Sequence, residues 1–257
     1  MHILDSKIDF ENFTTRLKSG VPKVLMLDYD GTLAPFTVER ERARPYPEVV
    51  GVLQALVGSE TTRTIIVSGR TISSLMRLLK STEQPELWGC HGLERMKPDG
   101  GYTVTELDQR TRDGLARIHE WVVEQEMGPF IERKPSGVAF HWRGLPESSA
   151  GAIKKSVLDA WSDVALQYGF ELHGFDGGLE LRANGASKAS AVETILNESA
   201  PEAVIAYFGD DMTDEDAFAA LSDRGLKVLV SNEIRQTRAD LVLQPPHEVV
   251  DFLRLWL

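Results

Sequence analysis

Val24-Leu25-Met26-Leu27-Asp28-Tyr29-Asp30-Gly31-Thr32-Leu33-Ala34 is the stretch that decides the fold. Four apolar residues, the length of a strand buried on both faces, stop abruptly at two carboxylates one residue apart. A stable core gains nothing from two acids in that place, because burial and mutual repulsion both disfavour their charged forms. A divalent cation removes the repulsion and leaves one carboxylate free to act as a nucleophile. Gly31 permits a tight turn, and Thr32 adds a hydroxyl to backbone N–H groups that can meet a phosphate. Asp-Gly also marks plain turns, so the other parts of a phosphate site have to be found elsewhere in the chain.

Around this stretch, short apolar runs alternate with helical patterns. Residues 24–27, 64–67 and 87–90 read as buried parallel strands. Ile72, Leu75, Met76 and Leu79 repeat at the spacing of an amphipathic helix. The alternation resumes near the C-terminus. Ala189, Val192, Ile195 and Leu196 make one helical face, 204–208 a strand, and Ala217, Phe218 and Leu221 another helix. Residues 227–230 and 241–243 read as strands and 249–255 as a last helix. This order predicts an α/β fold, a Rossmann-like doubly wound parallel sheet with right-handed crossovers.

The middle of the chain has a different period. Two long helical stretches, 111–126 and 148–168, are interleaved with 130–133, 137–143, 171–173 and 179–182, which alternate in steps of two. Two helices on one face of an antiparallel sheet form a small α+β module. We therefore expect 1–97 and 183–257 to make a catalytic core and 98–182 an inserted α+β cap. Pro98, Gly100, Gly101 and Gly185 suggest where the chain leaves and rejoins the core.

The 257 residues suffice for a large core. A net charge of −11 argues against nucleic acid or an anionic membrane surface as partner. It also requires that an anionic substrate meet a locally positive pocket or a metal. The single cysteine, Cys90, excludes an internal disulfide. Residues 1–13 show no signal-peptide core and no apolar run reaches membrane-spanning length, so the expectation is a soluble, cytoplasmic protein.

Three further elements bear on the site. Val67-Ser68-Gly69-Arg70 ends a buried strand with a small hydroxyl and helix-start N–H groups, suited either to a phosphate oxygen or to capping the next helix. Lys188 begins a helix, against the positive end of its dipole, a place suited either to neutralising a nearby anion or to a solvated surface lysine. Phe208-Gly209-Asp210-Asp211-Met212-Thr213-Asp214-Glu215-Asp216 follows an apolar strand with five acids in seven residues. Asp214 or Glu215 can serve the following helix, whereas Asp210 and Asp211 exceed what capping needs and suit a hard cation such as Mg²⁺. All four elements lie at strand ends or helix starts of one sheet, where ligands of open α/β sheets bind.

In that order, Asp28-Tyr29-Asp30-Gly31-Thr32, Ser68, Lys188 and Gly209-Asp210-Asp211 resemble the four motifs of the haloacid dehalogenase superfamily. The closer resemblance is to the trehalose-6-phosphate phosphatases. It rests on the run from Leu27 to Pro35, Val67-Ser68-Gly69-Arg70, His91-Gly92, Glu132-Arg133-Lys134, His141-Trp142-Arg143, the run from Gly209 to Phe218, and Thr237-Arg238-Ala239-Asp240. Ala183 stands where that family usually has proline, and Ala189 where a glycine commonly follows the lysine.

The resemblance implies a mechanism. Asp28 attacks phosphorus to form an aspartyl-phosphate, and Asp30 protonates the leaving oxygen and then activates water. Mg²⁺ is held by Asp28, the Asp30 carbonyl and Asp210, with Asp211 or Asp214 in the first or second shell. Ser68, Gly69 and Lys188 hold the phosphate. Arg70 and His91 from the core, and Glu132, Lys134, His141, Arg143 and Glu180 from the cap, bind the sugar. The implied substrate is trehalose 6-phosphate, and the implied pathway partner is the synthase that makes it. Sucrose 6-phosphate, glucosyl- or mannosyl-3-phosphoglycerate and a non-catalytic sugar-phosphate sensor are the alternatives. The sequence leaves the oligomeric state open.

Overall fold

The computed structural model describes the whole chain except residues 6, 7, 38, 81, 82, 143, 144, 146, 176 and 186 and the side chains of 147–149. The elements run β1 (His2–Ile3), α1 (Phe10–Leu17), β2 (Lys23–Leu27), α2 (Pro47–Val57), β3 (Thr62–Val67), α3 (Ile72–Leu79), β4 (Glu86–Gly89), β5 (Glu94–Met96) and β6 (Tyr102–Val104). There follow α4 (Gln109–Glu124), β7 (Ile131–Lys134), β8 (Gly137–His141), α5 (Glu147–Tyr168), β9 (Phe170–Phe175) and β10 (Gly178–Ala183). The chain ends with α6 (Lys188–Glu198), β11 (Val204–Gly209), α7 (Met212–Leu221), β12 (Leu226–Val230), β13 (Leu241–Leu243) and α8 (His247–Leu253).

Met1–Thr103 and Ser187–Leu257 form one compact unit and Val104–Ala186 a second. The division falls a few residues beyond 97/98 and 182/183. The larger sheet gains Tyr102 and Thr103 through β6, and β10 runs on to Ala183.

The larger unit is built on a nine-stranded sheet of order β1-β13-β12-β11-β2-β3-β4-β5-β6. Strands β13, β12, β11, β2, β3 and β4 are parallel, and β1 and β5 run antiparallel to their neighbours. The continuous apolar run of β2 has a direct cause: Leu25 and Leu27 pack on one side of the sheet and Val24 and Met26 on the other. On the first side lie Val49, Leu53 and Leu56 of α2, Leu75 and Leu78 of α3, and Phe252 and Leu253 of α8. On the second lie Ala191, Val192 and Ile195 of α6 and Ala217, Phe218 and Leu221 of α7. Helices on both faces make the sheet doubly wound, as the alternation predicts.

The smaller unit has a four-stranded sheet of order β7-β8-β10-β9, antiparallel throughout. Val138, Phe140, Leu179 and Leu181 on one face pack with Ile118 and Val122 of α4 and Val157 and Trp161 of α5. No helix among the described residues is long and apolar enough to cross a membrane.

Candidate active site

Strand β2 lies between β11 and β3, where the order of the parallel sheet changes direction, so Asp28 and Asp210 follow the C-terminal ends of adjacent strands. The Asp28 N–H donates to the Phe208 carbonyl at 2.8 Å, extending the ladder to the first acid. Gly31 then turns the chain with φ +83°, and a Cβ there would lie 2.1 Å from an Asp210 carboxylate oxygen. Glycine is required at this position both by the left-handed backbone and by the acid beside it.

Lys188, the first residue of α6, is buried and donates to Asp28 Oδ1 and Asp214 Oδ1, both at 2.7 Å. Burial alone would pull the ammonium down, but Asp214 and Asp28 outweigh it and its affinity for the proton rises. The anion beside the helix start is therefore supplied by the protein itself.

Asp214 is fully buried and fully engaged. Its Oδ1 accepts from Lys188 and from the Tyr207 hydroxyl, each at 2.7 Å, and its Oδ2 from the N–H groups of Asp210 and Asp211 at 3.0 Å. One oxygen from each of Asp28, Asp210 and Asp214 falls within 4.8 Å of the others. With four donors on its two oxygens, however, Asp214 has no lone pair to spare for a cation.

Asp210 is different. Its buried Oδ1 has no hydrogen-bond partner among the described residues. Burial pushes the Asp210 carboxyl well up, and the charges of Asp28 and Asp214 push it further. Asp28 is likewise raised by burial, with Lys188 opposing and Asp214 and Asp30 adding to the rise. Two adjacent carboxyls driven toward their neutral forms, one with an unserved oxygen, fit an oxygen-ligated divalent cation.

Asp211, expected in the metal shell, is turned elsewhere. It is the N-cap of α7, accepting from Met212 N–H, and forms a reciprocal capping box with Asp214. Its carboxylate is exposed and outside the acidic cluster. Asp30 is gripped by Arg70, whose Nε and Nη2 donate to the two carboxylate oxygens at 2.6 and 2.7 Å. Arg70, expected to reach a sugar, is buried and committed at least in part to Asp30.

The phosphate-loop candidates are fixed by backbone hydrogen bonds. Ser68 N–H donates to Trp88 O, His91 N–H to Ser68 O and Cys90 N–H to Arg70 O, between 2.8 and 2.9 Å. This stitching sets the His91 ring against Gly69, where a Cβ would lie 2.5 Å from Nε2. Thr32 Oγ1 is buried beside the turn after β2 and has no partner among the described residues.

Sequence reasoning missed Glu94. Its buried carboxylate accepts from the N–H of Ile72 at 2.9 Å, from the Tyr102 hydroxyl at 2.7 Å and from Cys90 Sγ at 3.3 Å. It thereby ties the start of α3 to the His91 turn. A single glutamate in a three-residue strand leaves no periodic signal of that role.

In the smaller unit, Glu132, Lys134, His141 and Glu180 lie on the sheet face turned away from α4 and α5. Register places Glu132 opposite Ala139 and Ala139 opposite Glu180. Lys134 is buried and donates to Glu180 at 2.7 Å, and His141 lies 3.0 Å from Glu132. The same face carries Arg182 and His173, 2.8 Å apart, which the sequence did not single out. Arg143 lies outside the described residues.

The sequence pattern of the trehalose-phosphatase family matches residues 26–244. A probable trehalose-phosphate phosphatase 3 of Oryza sativa subsp. japonica is 30% identical, over 95% of this chain and 72% of its own length. A bifunctional trehalose-6-phosphate synthase/phosphatase of Thermoproteus tenax is also 30% identical, over 79% of this chain and 28% of its own. Among solved structures, the C-terminal domain of a Candida albicans trehalose-6-phosphate phosphatase superposes with a TM-score of 0.76 over 100% of this chain and 99% of that one, at 20% identity.

Proposed function

Since the chain belongs to the trehalose-phosphatase family, we propose that the acids closing β2 and β11 are the centre of its reaction. The protein is a phosphoric monoester hydrolase that converts trehalose 6-phosphate and water to trehalose and phosphate. The observation that carries the assignment to this centre is the buried triad of Asp28, Lys188 and Asp214, joined at 2.7 Å beside the unserved Oδ1 of Asp210.

Asp28 is the nucleophile. Its carboxylate forms a bond to phosphorus as the bond to the sugar oxygen breaks, giving an aspartyl-phosphate and trehalose. Asp30 delivers the proton that the departing oxygen needs. It then takes a proton from the water that cleaves the acyl phosphate, which restores Asp28 and releases phosphate. Arg70 holds Asp30 in one orientation between these transfers. Lys188 balances charge on the non-bridging oxygens, with Ser68, Gly69 and Thr32 lining the same edge.

Asp28, Asp210 and the Asp30 carbonyl are the groups suited to hold Mg²⁺, and Asp214 positions them. When bound, Mg²⁺ neutralises the repelling carboxylates and the phosphoryl oxygens. Sugar recognition falls to Glu132, Lys134, His141 and Glu180, whose paired charges offer donors and acceptors to hydroxyls, and to His91. The synthase is the pathway partner, a reading supported by a bifunctional relative named for both activities.

The test is phosphate release from trehalose 6-phosphate, sucrose 6-phosphate, glucosyl-3-phosphoglycerate and glucose 6-phosphate, with Mg²⁺ and with EDTA. Trehalose 6-phosphate should be preferred by about tenfold or more, a margin that a hydroxyl-reading pocket can deliver. EDTA should abolish the activity and Mg²⁺ restore it. Full activity in EDTA overturns the cation reading, and a different preferred sugar overturns the substrate.

A further inference from the structure

The loop that carries Asp210 and Asp211 is held from two sides. Asp214 takes the N–H groups of both residues. Arg235, in the connection between β12 and β13, takes their carbonyls: its Nη2 donates to Asp210 O at 3.2 Å and to Asp211 O at 3.0 Å. All four backbone groups of the two residues are thus accounted for, and the three peptide planes to which they belong are held.

Arg235 is itself anchored. Its Nη1 donates to Glu215 Oε1 at 2.5 Å and to its neighbour's carbonyl, Gln236 O, at 3.0 Å. Glu215 is buried in the first turn of α7, and its other oxygen accepts from Arg238 N–H at 2.8 Å. Charge bookkeeping sharpens the picture. A lone guanidinium beside a cation site would repel the cation. Paired with Glu215, Arg235 brings hydrogen bonds to the loop without adding net positive charge.

We propose that Arg235, locked by Glu215, is a positioning residue for the cation site: it fixes the peptides of Asp210 and Asp211 and so aims the Asp210 carboxylate at a divalent cation. The inference rests on the reading of Asp28 and Asp210 as the cation's ligands. It adds a residue from a third segment of the chain, joined to the loop only through backbone atoms.

The experiment is a titration of the intact protein with Mn²⁺, counting free ion by electron paramagnetic resonance, with Asp210→Asn as reference. Positioning partners behind metal ligands typically govern 10–100-fold in affinity. Arg235→Met should therefore weaken Mn²⁺ binding by about tenfold or more. A merely electrostatic role predicts the reverse, because removing the guanidinium leaves Glu215 negative and should tighten binding. Arg235→Lys keeps the charge but not the planar fork, and it too should bind several-fold more weakly. This second variant also serves if the methionine variant fails to fold. Unchanged or tighter binding in a folded variant overturns the proposal. Failure of the wild type to bind Mn²⁺, or equal binding by Asp210→Asn, overturns the cation reading itself and the proposal with it.

Discussion

Lys188 holds the site together before any substrate arrives. It lies buried between two carboxylates, and a neutral replacement would leave Asp28 and Asp214 facing each other without a counter-charge. Breaking a buried pair of this kind costs roughly 3–5 kcal/mol. Lys188→Met should therefore lose both activity and several degrees of melting temperature, measured by calorimetry. Asp28→Asn should separate the two properties. The change is nearly isosteric and relieves the repulsion with Asp210, so the variant should melt at or above the wild-type temperature in EDTA. Its phosphate release should fall by about 10³-fold or more, as expected for loss of a nucleophile. A variant that retains turnover would reassign the nucleophile. At this scale the sequence was legible where chemistry and local geometry disagree. A lysine at a helix start or an acid pair after a buried strand has an ordinary reading alone, and it is their joint occurrence at the ends of one sheet that points to a site. Asp211 and Asp214 show the limit. Both are acids in one short stretch, and only the capping geometry of α7 decides that Asp211 faces outward and Asp214 inward.

Helix α6 is fixed at both ends. Lys188 holds its first turn, and Glu198, its last residue, accepts from Arg95 of β5 and Arg63 of β3 at 2.7 Å. The same arginines hold the buried Glu86 of β4. Hydrogen bonds from Arg95, then Arg63, with their charges, draw the Glu198 carboxyl from its ordinary 4.5 down to about 2, against a smaller cost of burial. The folded state thus binds the Glu198 proton less tightly than the unfolded chain does. Its contribution is complete above pH 4.5 and is lost as pH falls through about 2. Glu198 is partly exposed, so solvent screening keeps that contribution near 1 kcal/mol. Glu198→Gln should melt a few degrees lower at pH 7, with the gap from wild type closing between pH 4.5 and 2. A gap that stays constant with pH would mean the charge is not what holds the helix end.

Element type was legible wherever a period had room to repeat, as in the strands of the parallel sheet and the helices 72–79 and 188–198. Strands β1, β5 and β6 have two or three residues each, too few to show an alternation. Helix α2 was readable in principle, since Val49, Val52, Leu53 and Leu56 follow helical spacing after Pro47.

For the molecule as a whole, the sequence separated a parallel α/β unit from an antiparallel one, because a change of hydrophobic period survives any uncertainty in single residues. What it could not supply is pairing: Glu132 with His141, Lys134 with Glu180 and Glu215 with Arg235 are set by register and tertiary packing. If the polar face of the smaller sheet reads the sugar, Glu180→Ala should lower kcat/KM for trehalose 6-phosphate by about tenfold or more. Hydrolysis of 4-nitrophenyl phosphate, which lacks the sugar, should stay within about twofold. An equal loss on both substrates would place Glu180 in support of the fold instead. The strand pairing carries one more consequence, which concerns the order of synthesis. Lys23 of β2 lies opposite Val204 of β11, so the two acids of the site are brought together only by closing most of the chain. The smaller unit, 104–186, is continuous and is synthesised before β11. A nascent chain halted just before β11 already carries Asp28 and Lys188, yet it lacks Asp210 and Asp214. Assembly of the site therefore waits for β11, long after the nucleophile has been made.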